Sequence, residues 1–222
     1  MTLPEKAELT YRKLIELHGE IERIPRRAPM HELLSTLLSH RTTEQQESRA
    51  YASMMARFQT YEAIRVAPFA ELVESIEGVN WPEVKAGNIQ KVLNRIYEER
   101  GELSIAFLEQ LPTDEAMQWL TDLPGVGLKT ATLVLLFCFG KAVLPVDTHL
   151  HRVSGRIGLI GAKVSAEKAH AELLALLPAD ADVLYNFHIA MLRHGQKICV
   201  WKAPRCAKCP LTEFCNYFQE TP

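Results

Sequence analysis

The chain reads as an all-α protein. Apolar residues recur at helical spacing in segment after segment, and no stretch of strand length alternates strictly between apolar and polar. A third observation sets the helix lengths. Pro68, Gly78, Pro82, Gly101, Pro112 and Gly140 punctuate the pattern, which predicts short helices and not a long coiled coil.

Met30, Leu33, Leu34, Leu37 and Leu38 fall at i, i+3, i+4, i+7 and i+8, the apolar stripe of one amphipathic helix. Tyr51, Met54, Met55 and Phe58 make a second stripe, and Ile89, Val92, Leu93 and Ile96 a third. A short helix ending near Leu120 follows the acidic start Thr113-Asp114-Glu115, where negative charge suits the helix N-terminus. Ser165 reads as the N-cap of a helix carrying Leu173, Leu174 and Leu177. Another helix contains Phe187, Met191 and Leu192.

A chain of 222 residues, 47% of them hydrophobic, can form one large domain or two small ones with a real core. Its longest apolar run, Ala131 to Gly140, is about half the length of a bilayer span. The start Met1-Thr2-Leu3-Pro4-Glu5-Lys6 lacks the basic and apolar regions of a signal peptide. Five cysteines, four of them clustered, suit a reducing interior. The expected setting is the cytoplasm, without membrane contact. The net charge of −2 gives the whole chain no pull on nucleic acid. Arg193, Lys197, Lys202, Arg205 and Lys208, however, share one stretch free of acids. Such a run is ordinarily a solvated face, but held rigid by a metal it becomes a phosphate contact.

That metal is suggested by Cys199, Cys206, Cys209 and Cys215, spaced C-x6-C-x2-C-x5-C. Thiolates this dense need a metal or a positive site to hold them. Four cysteine ligands with no open iron position fit a closed [4Fe-4S] cluster. A structural zinc site and ordinary disulfides are the alternatives. Zinc usually takes two C-x2-C hooks, and only Cys206 and Cys209 form one. Cys138, in an apolar segment, reads as a small core residue.

Leu123-Pro124-Gly125-Val126-Gly127-Leu128-Lys129-Thr130-Ala131 runs straight into an apolar helix. Gly125 and Gly127 permit positive φ with no Cβ in the way. A helix, a Pro-Gly-x-Gly hairpin and a second helix N-terminus leave backbone N–H groups pointing outward, which binds phosphate whatever the base sequence. Leu123 and Val126 would pin the hairpin between its helices. As a bare turn the motif needs no function.

L-P-G-V-G-x-K-T-A, then V-D-T-H with its aspartate eighteen residues after the lysine, then the four-cysteine spacing, together resemble the endonuclease III branch of the helix-hairpin-helix DNA glycosylases over nearly the whole chain. The resemblance implies a monomeric, nucleoid-associated enzyme acting on double-stranded DNA, which excises oxidised pyrimidines and then cleaves the abasic site by β-elimination. It implies two helical domains with DNA across the cleft between them. One, at 27–139, would be a six-helix barrel with the hairpin; the other, at 1–26 and 140–222, would surround the [4Fe-4S] cluster. Carried over by position, the catalytic lysine falls on Lys129 and the catalytic aspartate on Asp147. An amine that attacks C1′ must be unprotonated, and a helix N-terminus in a closing cleft favours that form over the solvated pKa of about 10.4. Asp147 would stabilise the positive sugar as the base departs. Otherwise Lys129 is a surface lysine and Asp147 an N-cap, a role compatible with the catalytic one.

Two places depart from the family pattern. Where its gap-filling loop usually reads S-A-Q-A-T, this chain has Ser39-His40-Arg41-Thr42-Thr43. Arginine donates hydrogen bonds and cannot accept them, so Arg41 should favour an acceptor-rich opposite base such as guanine. A second wedge position falls near Trp81, which otherwise packs at a turn. The expected DNA contacts are thus Arg41, Trp81, Gly125, Val126, Gly127, Lys202 and Arg205. His31, His149, His151, His170 and His188 receive no chemistry. Two rivals stand beside this reading. A non-catalytic or weakly active DNA-binding paralogue would not need Lys129 and Asp147, and an electron-transfer iron–sulfur protein would not need the hairpin.

Overall fold

The structure, a computed structural model, describes residues 1–24 and 27–220. In chain order the helices are α1 (Leu3–His18), α2 (Pro29–Ser39), α3 (Glu44–Phe58), α4 (Tyr61–Val66), α5 (Phe69–Ser75) and α6 (Pro82–Arg100). They continue with α7 (Thr113–Thr121), α8 (Leu128–Phe139), α9 (Thr148–Ile157), α10 (Ala166–Leu174), α11 (Ala181–Lys197) and α12 (Asn216–Glu220). Short 3₁₀ turns lie at Ala106–Glu109, Cys206–Lys208 and Thr212–Phe214. There is no strand among the described residues, as the periodicity predicts, and no described helix is long and apolar enough to cross a membrane. The chain divides into two compact units, Met1–Ile24 with Gly140–Pro222, and Pro25–Phe139. The boundary expected between 26 and 27 falls instead between Ile24 and Pro25; Pro25 and Arg26 lie outside the described residues.

The Pro25–Phe139 unit is built around α2, which packs against α3, α6 and α8. Its stripe is the core: Leu33, Leu34 and Leu38 are fully buried, with Met30 and Leu37 nearly so. Each such side chain contributes roughly 1.5–3 kcal/mol over leaving it exposed. Ile89, Val92, Leu93 and Ile96 of α6 are fully buried too. In the Tyr51 stripe only Met54 is buried, because α3 lies at the edge of the unit. There Tyr51 stacks on His31 with ring centroids 3.8 Å apart, and its hydroxyl lies 2.9 Å from that of Tyr61. His31 is therefore a packed residue. Half-burial also holds Cys138 as a thiol, its pKa raised to about 12.

In the other unit α11 is the central helix, with α1 and α9 packed against it. The two chain ends meet here, where the buried Lys6 of α1 donates to the Asn216 side-chain oxygen of α12 at 2.8 Å. The Asn186 amide of α11 accepts from the Ile21 N–H at 2.8 Å and donates to the Ile21 carbonyl at 3.0 Å. Ser165 caps α10 through the Lys168 N–H as its position predicts, a bond whose loss costs about 1 kcal/mol. His170 and His188 point their Nδ1 atoms at the Leu144 and Pro145 carbonyls, so they too are packing residues.

The hairpin between α7 and α8 forms as expected. Leu123 and Val126 are 3% and 5% exposed, and the Val126 N–H closes the turn on the Leu123 carbonyl at 3.1 Å. Gly125 has φ +78°, and a Cβ there would come within 2.8 Å of the Asn88 side chain of α6. Gly127 does not share this constraint. Its φ lies outside the left-handed region and a Cβ would meet nothing within 4 Å, so the expectation of positive φ holds for Gly125 alone. The turn needs one left-handed residue, and a second would carry the chain away from the start of α8.

The two glycines should therefore respond differently to alanine. Gly125→Ala meets about 1–2 kcal/mol of left-handed strain plus the Asn88 clash, a melting-temperature loss of several degrees at about 2–4 °C per kcal/mol. Gly127→Ala should melt with wild type. Equal melting temperatures for both variants would refute this account of the turn.

Candidate functional site

Lys129 is the second residue of α8, half-buried, immediately after the hairpin. The first turn of a helix has no internal partners for its N–H groups, and the positive end of the dipole lies there. The Gly127 carbonyl accepts the Ala131 N–H at 3.0 Å, which starts the helical ladder. Among the described residues no carboxylate lies within ion-pair distance of Lys129. Nothing there fixes its amine as half of a salt bridge.

The Ser39–Thr43 loop sends a second group toward Lys129. His40, at the end of α2, has its imidazole pKa lowered by desolvation and then by the cations Lys129 and Lys85. Sequence reasoning gave His40 no partner and did not single out Lys85. Lys85 is almost fully buried on α6 and donates to the Leu38 carbonyl at 2.6 Å, the His40 carbonyl at 2.9 Å and the Thr42 hydroxyl at 2.6 Å. Burial lowers its pKa to about 8. A lysine amid the apolar periodicity of α6 was the signal that could have found it.

Arg41 and Trp81, expected at separate places, are brought together. The Arg41 guanidinium carbon stands 5.7 Å from the Trp81 ring centroid. Trp81 is not packed away at its turn; it is 53% exposed, and Arg41 is exposed as well. Both residues have left-handed backbones, φ +48° and +54°.

In the unit containing Gly140–Pro222, Asp147 is the N-cap of α9, accepting the Leu150 N–H at 2.7 Å. The expected cap role is thus filled by one carboxylate oxygen, and among the described residues the other accepts no hydrogen bond. Lys129 and Asp147 belong to different units. One turn and two turns along α9, Arg152 and Arg156 reach the cysteine segment. Arg152 donates to the Gly195 carbonyl at 2.8 Å and the Cys199 carbonyl at 3.0 Å. Arg156 donates to the Val200 carbonyl at 2.7 Å and the Trp201 carbonyl at 2.8 Å, and lies 3.4 Å from the Cys199 sulfur. Neither arginine stood out in the sequence. Their spacing of four on one helix face was the available clue.

Cys199, Cys206, Cys209 and Cys215 line one apolar pocket with Ile198, Pro204 and Phe218. All are free thiols, so disulfides do not form among them. Burial pushes the Cys209 thiol up to about 11, with the other three cysteines adding repulsion. Four thiolates here thus require a positively charged guest. The Arg156 guanidinium already faces the Cys199 sulfur, and the buried His194 Nε2 lies 3.5 Å from the Cys209 sulfur. Among the described residues no three ligands converge closely enough for a single metal ion. On the loop between Cys199 and Cys206, Lys202 and Arg205 are exposed, and Arg205 donates to the Lys197 carbonyl at 3.2 Å.

Comparison with known proteins accounts for this combination of hairpin, lysine and cysteine pocket. A family profile described as HhH-GPD superfamily base excision DNA repair protein matches residues 34–179. Endonuclease III of Thermotoga maritima is 32% identical over 209 residues, covering 92% of both chains. Protein ROS1C of Oryza sativa is 29% identical over 71% of this chain, but the chain spans only 9% of that much longer plant protein. A structure of a trapped endonuclease III–DNA covalent intermediate, an estranged-adenine complex, superposes with a TM-score of 0.84 at 25% identity, covering 99% of this chain and 98% of that one. The chain therefore belongs to the HhH-GPD superfamily of base excision DNA repair proteins, in its endonuclease III branch.

Proposed function

We propose that the protein is a bifunctional DNA glycosylase and abasic-site lyase that removes oxidised pyrimidines from double-stranded DNA. The observation that carries the reading is Lys129, an amine free of any described ion pair, at the helix start that follows the hairpin. The neutral Lys129 amine forms a bond to C1′ of an everted nucleotide, and the C1′–N bond to the base breaks with the electron pair leaving on the base. The sugar ring then opens to an imine. Loss of a C2′ proton expels the 3′ phosphate, and water releases the lysine. Asp147 offers a carboxylate to the cationic sugar while still capping α9. Acting together requires both residues at one nucleotide.

Backbone N–H groups of the hairpin at Gly125 and Gly127 take a phosphate, with the buried Val126 between them closing the turn, and Lys202 and Arg205 take others. Arg41 and Trp81 occupy the gap left by the everted nucleotide. The narrow acceptor preference of a guanidinium makes activity depend on the opposite base, guanine above all. Cys199, Cys206, Cys209 and Cys215 hold a [4Fe-4S] cluster. When bound, it supplies the positive core that keeps four partly buried thiolates ionised, and with them the basic loop in place. The protein acts as a monomer in the cytoplasm.

Borohydride reduction during turnover should trap wild type on DNA. Lys129→Gln should bind and give no adduct, while Asp147→Asn, which keeps a cap-competent side chain, should lose most of its rate with binding retained. Efficient trapping by Lys129→Gln would assign the chemistry to another amine. Independently, anaerobically purified protein should be yellow-brown with about four irons per chain, and replacing any one of the four cysteines should lower both iron content and folded yield. Stoichiometric zinc without iron would disprove the cluster.

A further inference from the structure

Helix α2 ends at Ser39 with no basic residue in its own last turn. Its orphan carbonyls and the negative end of its dipole call for a donor from elsewhere. Lys85 reaches in from α6 and gives its three N–H bonds to oxygens of Leu38, His40 and Thr42. All three acceptors are neutral, and among the described residues no carboxylate is within ion-pair distance. An ammonium buried without a counter-ion costs free energy that an apolar side chain avoids. Lys85 meets the helix-end demand at that cost, and in doing so it ties the last turn of α2 to two oxygens of the irregular loop that follows.

The loop is tied on its other side as well. The Asn80 side chain donates to the Arg41 carbonyl, and the Asn80 N–H donates to the Thr42 hydroxyl at 3.3 Å. The next residue is Trp81. Two non-glycine residues with left-handed backbones, Arg41 and Trp81, are thereby held side by side with most of the indole in solvent. Non-glycine strain of this kind persists where the surroundings over-determine it, and it marks preorganised binding surfaces. An exposed aromatic ring with a guanidinium over it fits a flat π-system with acceptors on its rim. An unpaired nucleobase has that chemistry.

We infer that Lys85 is the positioning residue of a rigid platform, Arg41 beside Trp81, on which an unpaired nucleobase of a gapped duplex stacks. The inference rests on the DNA-repair reading above. Lys85 touches no substrate; it acts by holding the loop so that the platform exists before DNA arrives.

The test uses the full protein and a duplex with an unreactive tetrahydrofuran abasic site opposite 2-aminopurine, whose emission falls when it stacks on indole. At saturation the wild-type complex should emit less than the Trp81→Ala complex, and Trp81→Ala should bind about tenfold more weakly, as the loss of one aromatic stack predicts. Lys85→Met and Asn80→Ala should move the emission to the Trp81→Ala level, and Lys85→Arg, which keeps donors, should restore quenching. Wild-type emission from both Lys85→Met and Asn80→Ala would overturn the positioning role. If Lys85→Met does not fold, the exposed Asn80→Ala decides the matter. Equal emission from wild type and Trp81→Ala would overturn the platform. Absence of any binding to the gapped duplex would instead refute the DNA-repair reading itself.

Discussion

Helix-end carbonyls without helical partners set the terms for both units, and cations reaching across from neighbouring segments satisfy them. Lys85 does this beyond α2, while Arg152 and Arg205 do it at the end of α11 through the Gly195 and Lys197 carbonyls. Arg156 continues the pattern along the cysteine segment. Buried polar groups must be paired, and a long flexible cation can pair several at once. The segments so held carry the proposed DNA contacts and the proposed cluster ligands. They are rigid without belonging to helix or sheet.

This device also resolves a tension in the charge. A net charge of −2 offers no general attraction for a polyanion. The cations of the proposed phosphate contacts are instead local: Lys129 after the hairpin of one unit, Lys202 and Arg205 on the cysteine loop of the other. Asp147 shows the same economy. It caps α9 with one oxygen, and α9 in turn carries the arginines that hold the Cys199 loop. The cap and the cysteine pocket are thus joined by a single helix.

Much of this was legible beforehand. The Leu33 and Ile89 stripes are core because helical periodicity with a polar opposite face has no other soluble solution. Ser165, Asp147 and the acidic start of α7 sit where capping and dipole arguments put them. The Tyr51 stripe misled in degree, since periodicity says which face turns inward but not whether the helix lies at the centre or the edge of its unit. Gly127 misled for a related reason: a Pro-Gly-x-Gly string does not say which glycine takes the left-handed turn.

Local physics, acting over a few residues, let the sequence alone determine the all-helical class, the hairpin with its lysine, the aspartate cap and the grouping of the four cysteines. Only the tertiary structure decided what depends on chain segments far apart in sequence. Asn88 sets the limit on Gly125 from 37 residues away, and Lys85 pins a loop more than forty residues before it. Arg41 meets Trp81, and Arg156 meets Cys199, across similar separations. Long polar side chains have no periodicity to announce their partners. Where they end is fixed by the packing of helices, and that packing is a property of the whole unit.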